Sequence, residues 1–326
     1  MIKCNCSENC YLTLENFAQK KESLKGCREC KTLNLKKFKA LSDEIDLHTI
    51  NDNFKRCSCG KRPLDAVMAH VLKIMIDFKI VNEKGTLRRN GVIPLTNPFF
   101  TSTTPLFFGK DSIIILHEDL TKECGLKIVE EVSEIKGVLK GSPKEVVGVL
   151  KKESTPHTYE LLAGCDIRGD IVKTPLREIV INKKQSENHI EFSSRMETKI
   201  IKLHQYLESK NYPKDFTILD GMCGCGSLGI FSLFYGANVI FNDIWKSSAD
   251  MTLNNLIANN FKVEKTNEND LIAYGDKIKV YNMAFEEVIN KINEKVDLII
   301  LDPFPTTNNS ALIEKAKKIS EDILII

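Results

Sequence analysis

Three aspartates and one glycine-rich turn carry the chemistry open to this sequence. Ile218-Leu219-Asp220-Gly221-Met222-Cys223-Gly224-Cys225-Gly226-Ser227-Leu228-Gly229 reads as the end of a strand, a tight turn and the first turn of a helix. Gly224, Gly226 and Gly229 have the spacing G-x-G-x-x-G, which lets the backbone bend sharply and lets a ligand lie against bare main chain. The helix that follows turns its free N–H groups and positive dipole end toward that ligand. Alone, the pattern fits a dinucleotide, a nucleoside cofactor or a close helix–strand contact. Asn242-Asp243 closes the next apolar stretch, 23 residues after Asp220, and a carboxylate there can accept hydrogen bonds from both hydroxyls of a ribose. Asp302-Pro303-Phe304-Pro305 closes a later one. Its aspartate can accept from an amine, its prolines stiffen the loop, and Phe304 offers a ring for stacking.

These residues need a scaffold that brings strand ends together. From Phe216 onward the chain alternates apolar strands, at 217–219, 238–241, 279–281, 296–301 and 323–326, with helical stretches such as Ala249–Asn260 and Phe285–Ile292. Near-continuous apolar strands alternating with helices predict a parallel sheet covered on both faces. Ligands then bind beyond the carboxyl ends of the strands, where the winding reverses. All three aspartates fall at such ends.

A second constellation lies at the other end of the chain. Seven of the eleven cysteines fall at 4, 6, 10, 27, 30, 57 and 59. Paired thiolates separated by a loop are the ordinary construction of a structural zinc site. Cys27-x-x-Cys30 is the best-formed pair, and Cys57-x-Cys59 is its expected partner, with Cys4, Cys6 and Cys10 as alternatives. Four thiolates in a tetrahedron suit zinc, with an iron–sulfur centre as the runner-up; buried or free thiols are the plain alternative. Residues 1–40 hold nine Lys/Arg against four Glu. A basic module of this kind suits contact with a phosphate backbone, although an ordinary solvated surface gives the same count.

The remaining composition sets bounds. A chain of 326 residues with 42% hydrophobic residues buries a real core, and a net charge of +2 neither demands nor excludes nucleic acid. No apolar run reaches transmembrane length, and Met1-Ile2-Lys3-Cys4-Asn5-Cys6 has no signal-peptide core, which predicts a soluble cytoplasmic protein. In the middle, residues 63–78 read as a helix with Pro63 as its first residue and a broad apolar face. Residues 113–116 and 145–150 read as strands, 120–136 as a helix, and 159–162, 179–181 and 190–192 as short strands before an amphipathic helix through Ile200 and Leu207. The expected divisions are a Cys-rich basic segment at 1–62, an α+β accessory domain at 63–158, a small β layer at 159–195 and the α/β domain at 196–326.

Phe192-Ser193-Ser194-Arg195-Met196, the glycine turn, Asn242-Asp243-Ile244 and Leu301-Asp302-Pro303-Phe304 together resemble the tRNA guanine methyltransferases. These belong to the class I S-adenosylmethionine-dependent methyltransferases. The Asp-Pro-Phe element is similar to the guanine-N2 dimethyltransferases. Glu160-Leu161-Leu162-Ala163-Gly164 ahead of Phe192 is more like the guanine-N1 (position 37) and wybutosine-synthesis enzymes. The resemblance covers residues 159–305. It implies a Rossmann-like, doubly wound sheet binding S-adenosylmethionine. Asp220, Gly221, Gly224 and Gly226 would line the methionine end, and Asn242 and Asp243 the ribose. Asp302, Pro303 and Phe304 would position an acceptor nitrogen of a nucleobase in RNA, with guanine in tRNA favoured. At the third strand end Met283 stands where an acid is expected near the adenine, leaving Asn282 or a backbone N–H to substitute. The alternation reaches its fifth strand at Ile326, so the sheet is expected to lack the last two strands of that fold. A small cofactor precursor or a protein side chain as acceptor, a non-catalytic binding module and a nicotinamide dehydrogenase are the competing readings.

Overall fold

The computed structural model describes residues 4, 6, 10–149, 156–304 and 309–326. The chain divides into two units, one of Asn16–Arg168 and one of Met1–Glu15 with Gly169–Ile326. Among the described residues no helix is long and apolar enough to cross a membrane.

In the unit of residues 16–168, a short helix α1 (Phe17–Ser23) precedes β1 (Arg62–Pro63) and the helix α2 (Leu64–Asp77). Ten of the fourteen residues of α2 are buried, so it is the core helix of this unit. Then come β2 (Ile93–Thr96), β3 (Phe107–Phe108), β4 (Ile113–His117), α3 (Lys122–Glu131), β5 (Ile135–Lys140) and β6 (Glu160–Gly164). Strands β2-β4-β5-β6 form one sheet in that order, and β1 pairs with β3. The apolar run Ile113-Ile114-Ile115-Leu116 is fully buried in the sheet's centre.

Two expectations fail here for local reasons. The helix predicted over 120–136 stops at Glu131, because the apolar run from Ile135 is drawn into parallel pairing with β4. Residues 145–149 form turns rather than a strand, between the Gly141-Ser142-Pro143 corner and Gly148 at positive φ, and Leu150 lies outside the described residues.

In the other unit a two-stranded sheet, β7 (Ile167–Lys173) and β8 (Glu178–Lys184), leads to α4 (Ser193–Glu208). The strand expected at 190–192 is extended chain that caps α4, with Phe192 at the N-cap. The main sheet comprises β9 (Thr217–Asp220), β10 (Asn238–Asn242), β11 (Glu264–Lys265), β12 (Leu271–Gly275), β13 (Ile278–Tyr281), β14 (Leu298–Leu301) and β15 (Ile323–Ile325). Its spatial order is β11-β12-β13-β10-β9-β14-β15. The five strands β13-β10-β9-β14-β15 are mutually parallel and correspond to the five apolar stretches of the sequence. The antiparallel pair β11 and β12 was not legible, because these edge strands are short and polar.

Helices α5 (Ser227–Tyr235), α6 (Lys246–Ala258), α7 (Phe285–Lys291) and α8 (Asn309–Ala316) fill the crossovers. Successive side chains of each strand feed opposite cores: Ile218, Phe241, Val280 and Ile300 on one face, Leu219, Ile240, Tyr281 and Ile299 on the other. Both faces are therefore covered. The sheet is Rossmann-like, reversing its winding between β9 and β14.

Candidate active site

Parallel pairing aligns the strand ends that matter. Phe241 of β10 and Ile300 of β14 both stand opposite Asp220, and Asn242 stands opposite Tyr281. Asp220, Asp243, Asn282 and Asp302 consequently emerge at one edge of four neighbouring strands.

The glycine turn is built for this position. Gly224 has φ +54° and Gly226 has φ +85°, conformations an L side chain resists. A Cβ on Gly224 would meet nothing within 4 Å, so the main chain there faces open space, whereas one on Gly229 would strike the Phe241 ring at 2.2 Å. Gly224 thus serves approach and Gly229 serves helix–strand packing. Gly221 belongs to the second kind: a Cβ there would meet Phe285 at 2.6 Å, and its N–H donates to the Ile300 carbonyl at 3.0 Å.

Asp220 is fully buried and its Oδ2 accepts from the Gly229 N–H at 3.0 Å, holding the start of α5 against the strand end. Its Oδ1, and the Oδ1 of buried Asn242, meet no hydrogen-bond partner among the described residues. Burial pushes the Asp220 carboxyl up to about 7, and the charges of Asp302 and Asp243 add to the rise. Asn242 Nδ2 donates to the Gly221 carbonyl at 3.2 Å. Asp243 accepts from the Gly224 N–H at 2.9 Å and from the Trp245 N–H at 2.8 Å, so one carboxylate ties β10 to the glycine turn and closes its own turn into α6. Burial raises it to about 6, against the pull of those two N–H groups.

Asn282 Nδ2 donates to the carbonyls of Asp243 at 2.8 Å and Ile244 at 3.1 Å, stapling β13's end to β10's. Met283 packs, half-buried, against the core that contains Tyr281 and Phe285.

Asp302 is paired with Lys199 of α4, and Lys199 also reaches Glu191 at 2.7 Å. Arg195 approaches the same glutamate at 3.7 Å. Burial lifts the Asp302 carboxyl above its usual range and outweighs the Lys199 cation, which draws it down. Pro303 and Phe304 are half-buried beside it, and the Phe304 ring meets the His189 imidazole edge-on at 6.0 Å. Pro305 lies outside the described residues.

Sequence reasoning missed Lys199 and Glu191. Lys199 lies one helical turn beyond Arg195 on α4, a spacing that could have flagged it. It also missed the support behind the turn. Thr252 of α6 donates to the Gly224 carbonyl at 2.9 Å. Asn255 donates to the Cys225 and Asn182 carbonyls, each at 2.9 Å, and accepts from the Asn182 N–H at 2.7 Å. Asn259, four residues on, makes the same two bonds to Val180 at 3.1 and 2.7 Å. A pair of asparagines at i,i+4 therefore plays the part of a neighbouring strand for β8. Two amides four residues apart, one in the last turns of α6 and one at its C-cap, were the available signal.

The four thiols Cys27, Cys30, Cys57 and Cys59, in the unit of residues 16–168, all have their sulfurs within 4.8 Å of one another. Cys4, Cys6 and Cys10 belong to the other unit; Cys4 and Cys6 have their sulfurs 2.9 Å apart and Cys10 is buried.

No protein-family model matches the chain, and no curated protein matches it. Solved structures do. The tRNA m1G37 methyltransferase of M. jannaschii is 16% identical, with 64% of this chain and 54% of that one covered and a TM-score of 0.39. TYW2 of P. horikoshii, solved with MeSAdo, is 17% identical over 66% of this chain and 68% of its own, with a TM-score of 0.39. Trm1 of Pyrococcus horikoshii, solved with S-adenosyl-L-methionine, is 19% identical over 45% and 38%, with a TM-score of 0.35. The chain spans just over half the length of the first of the matched structures, 54–56%. The fold class rests on the strand order of this chain itself.

Proposed function

We propose that this chain is an S-adenosylmethionine-dependent methyltransferase acting on a nucleobase nitrogen in RNA, with guanine in tRNA as the favoured acceptor. The observation that carries the reading is the convergence of Asp220, Asp243 and Asp302 on one edge of the parallel sheet, around a glycine turn whose main chain faces open space. The donor set fits the cofactor's chemistry. Carboxylates suit a ligand bearing an ammonium, a sulfonium and ribose hydroxyls, and two buried acceptor atoms, Asp220 Oδ1 and Asn242 Oδ1, have no partner among the described residues. Asp220, Gly221, Gly224 and Gly226 would hold the methionine end and Asp243 the ribose, with Asn242, Asn282 and Met283 bordering them. The RNA acceptor is supported by the Phe192–Met196 and Asp302–Phe304 motifs and by the basic N-terminal segment.

The bound cofactor supplies a methyl group on a sulfonium, whose displacement leaves a neutral thioether. The protein's task is geometry and charge. An acceptor nitrogen held here would take that methyl group through its lone pair and give up its proton to water. Asp302 accepts a hydrogen bond from the amine and stabilises the positive charge that grows there. Lys199 holds one oxygen of that carboxylate and leaves the other for the acceptor, while Phe304 offers a face for the base.

The test is tritium transfer from labelled cofactor into size-fractionated cell extract, followed by nucleoside analysis of the labelled RNA. Label in a modified guanosine of tRNA-sized RNA is the expected result. Label confined to protein or to small molecules would overturn the RNA acceptor while keeping the methyltransferase. Calorimetry showing no affinity for S-adenosylmethionine would sink the enzyme reading itself.

A further inference from the structure

Two stretches of the unit of residues 16–168 have no hydrophobic reason to hold their shape. Between residues 25 and 39, and again between 51 and 61, not one residue is buried. Conformational entropy opposes ordering such segments at about 1–2 kcal/mol per residue, and apolar burial offers no compensation here. Yet both make tight turns that present cysteines side by side. Cys30 N–H donates to the Cys27 carbonyl at 3.2 Å. In the second turn Gly60 N–H donates to the Cys57 carbonyl at 2.8 Å, Cys57 N–H donates to the Lys61 carbonyl at 2.9 Å, and Gly60 takes φ +84°. Polar staples join the two turns: Ser58 donates to Glu29 at 2.7 Å and Lys61 to the Lys25 carbonyl at 2.6 Å.

The sulfur spacings say what the turns are for. Cys27 to Cys57 is 3.5 Å, Cys30 to Cys59 is 3.5 Å and Cys27 to Cys30 is 3.8 Å. Four sulfurs at about 2.3 Å from a tetrahedral zinc stand about 3.8 Å from one another. A disulfide would need about 2.05 Å. All four sulfurs lie within 4.8 Å of one another, and the Cys27–Cys30 contact links the two cross-turn pairs, so the set closes as one cluster and not as two independent bridges. An all-thiolate tetrahedron selects zinc among common divalent ions, since the ion imposes no geometry of its own and closed four-sulfur sites are structural.

We propose that Cys27, Cys30, Cys57 and Cys59 bind one structural zinc ion, and that this ion does for residues 25–39 and 51–61 what a hydrophobic core does elsewhere. The proposal is independent of methyl transfer and stands or falls without it. It is tested on the full chain by metal analysis of the wild type against Cys57→Ser/Cys59→Ser, with hydrogen exchange of the two stretches before and after chelation. The expected result is one zinc fewer per chain in the variant, and loss of exchange protection at 25–39 and 51–61 when the ion is removed. Should the variant not fold, cobalt exchange into the wild type gives the answer: thiolate-to-cobalt charge transfer with strong tetrahedral d–d bands supports the site, and their absence overturns it. Equal zinc in both proteins, or iron with labile sulfide on these cysteines, also overturns the assignment.

Discussion

The turn at 220–229 and the turn at 57–60 both hold chemically capable side chains on a tight bend, and they are secured by opposite means. Behind the first stand a buried strand, the Phe241 ring against Gly229, and Thr252 and Asn255 gripping the Gly224 and Cys225 carbonyls. The second has no buried residue in its own stretch and relies on Arg56, which reaches buried Glu134 and the Gly60 carbonyl, on exposed staples and on four sulfurs. The difference decides what each can lose. A site set in a packed sheet should survive removal of a functional side chain, because the core fixes the backbone. A site pinned by its own ligands should not survive loss of the ion.

The largest test of that contrast is Asp302→Ala. We expect turnover to fall by about 10²-fold or more, the scale seen when a positioned charge-stabilising group is removed, with the fold and cofactor affinity kept. Normal turnover would end the role given to Asp302. Lys199→Met should act through the same carboxylate. Without the cation, burial and the Glu191 charge raise Asp302 further, with only Arg195 left to oppose them, so the acid limb of the kcat–pH profile moves to higher pH, and Lys199→Arg restores it. An unmoved profile would make Lys199 merely structural. Asp243→Ala comes next. Losing a charged acceptor of ribose hydroxyls should weaken S-adenosylmethionine about ten- to a hundredfold, at roughly 1.5–3 kcal/mol; unchanged affinity by calorimetry would reject the ribose contact.

Much of this scaffold was legible in the sequence because its signals are local. Apolar stretches marked all five parallel strands, and Asp220, Asp243 and Asp302 each sit one or two residues from such a stretch. The pairing of Lys199 was not legible: its spacing from Arg195 marks a helix face, but nothing near it in the chain announces a partner 103 residues away. The edge pair β11 and β12 hid for a related reason: strands that bury little carry little alternation to read. The cysteines were the intermediate case. Their spacing announced a ligand set with several candidate partners, and only the fold brings Cys27, Cys30, Cys57 and Cys59 together.

Asn255 and Asn259 probe the packed side of the contrast at a smaller scale. Each satisfies both backbone groups of one β8 residue. Asn255→Ala would strand the buried N–H and C=O of Asn182, at about 1–3 kcal/mol, visible as a lower midpoint in urea. A neutral result would mean that β8 finds its partners elsewhere.

The smallest expected effect is also the most diagnostic of the site's charge. Burial raises Asp220 to about 7 and Asp243 to about 6, both above the usual aspartate value. Between pH 4 and 7 the folded chain therefore holds protons that the unfolded chain has released. Stability from these groups is present at the acidic end and is lost as pH rises through that window. A cationic cofactor reverses the preference by favouring the ionised carboxylates, so its affinity should rise several-fold from pH 6 to 8 and its binding should release protons. Thermal melts with and without S-adenosylmethionine, compared with Asp220→Asn, separate the two effects. The wild type alone should lose stability toward neutral pH more steeply than the variant, and the ligand-induced gain should grow over the same range. Parallel profiles for the two proteins would mean that Asp220 carries no buried charge for a ligand to meet.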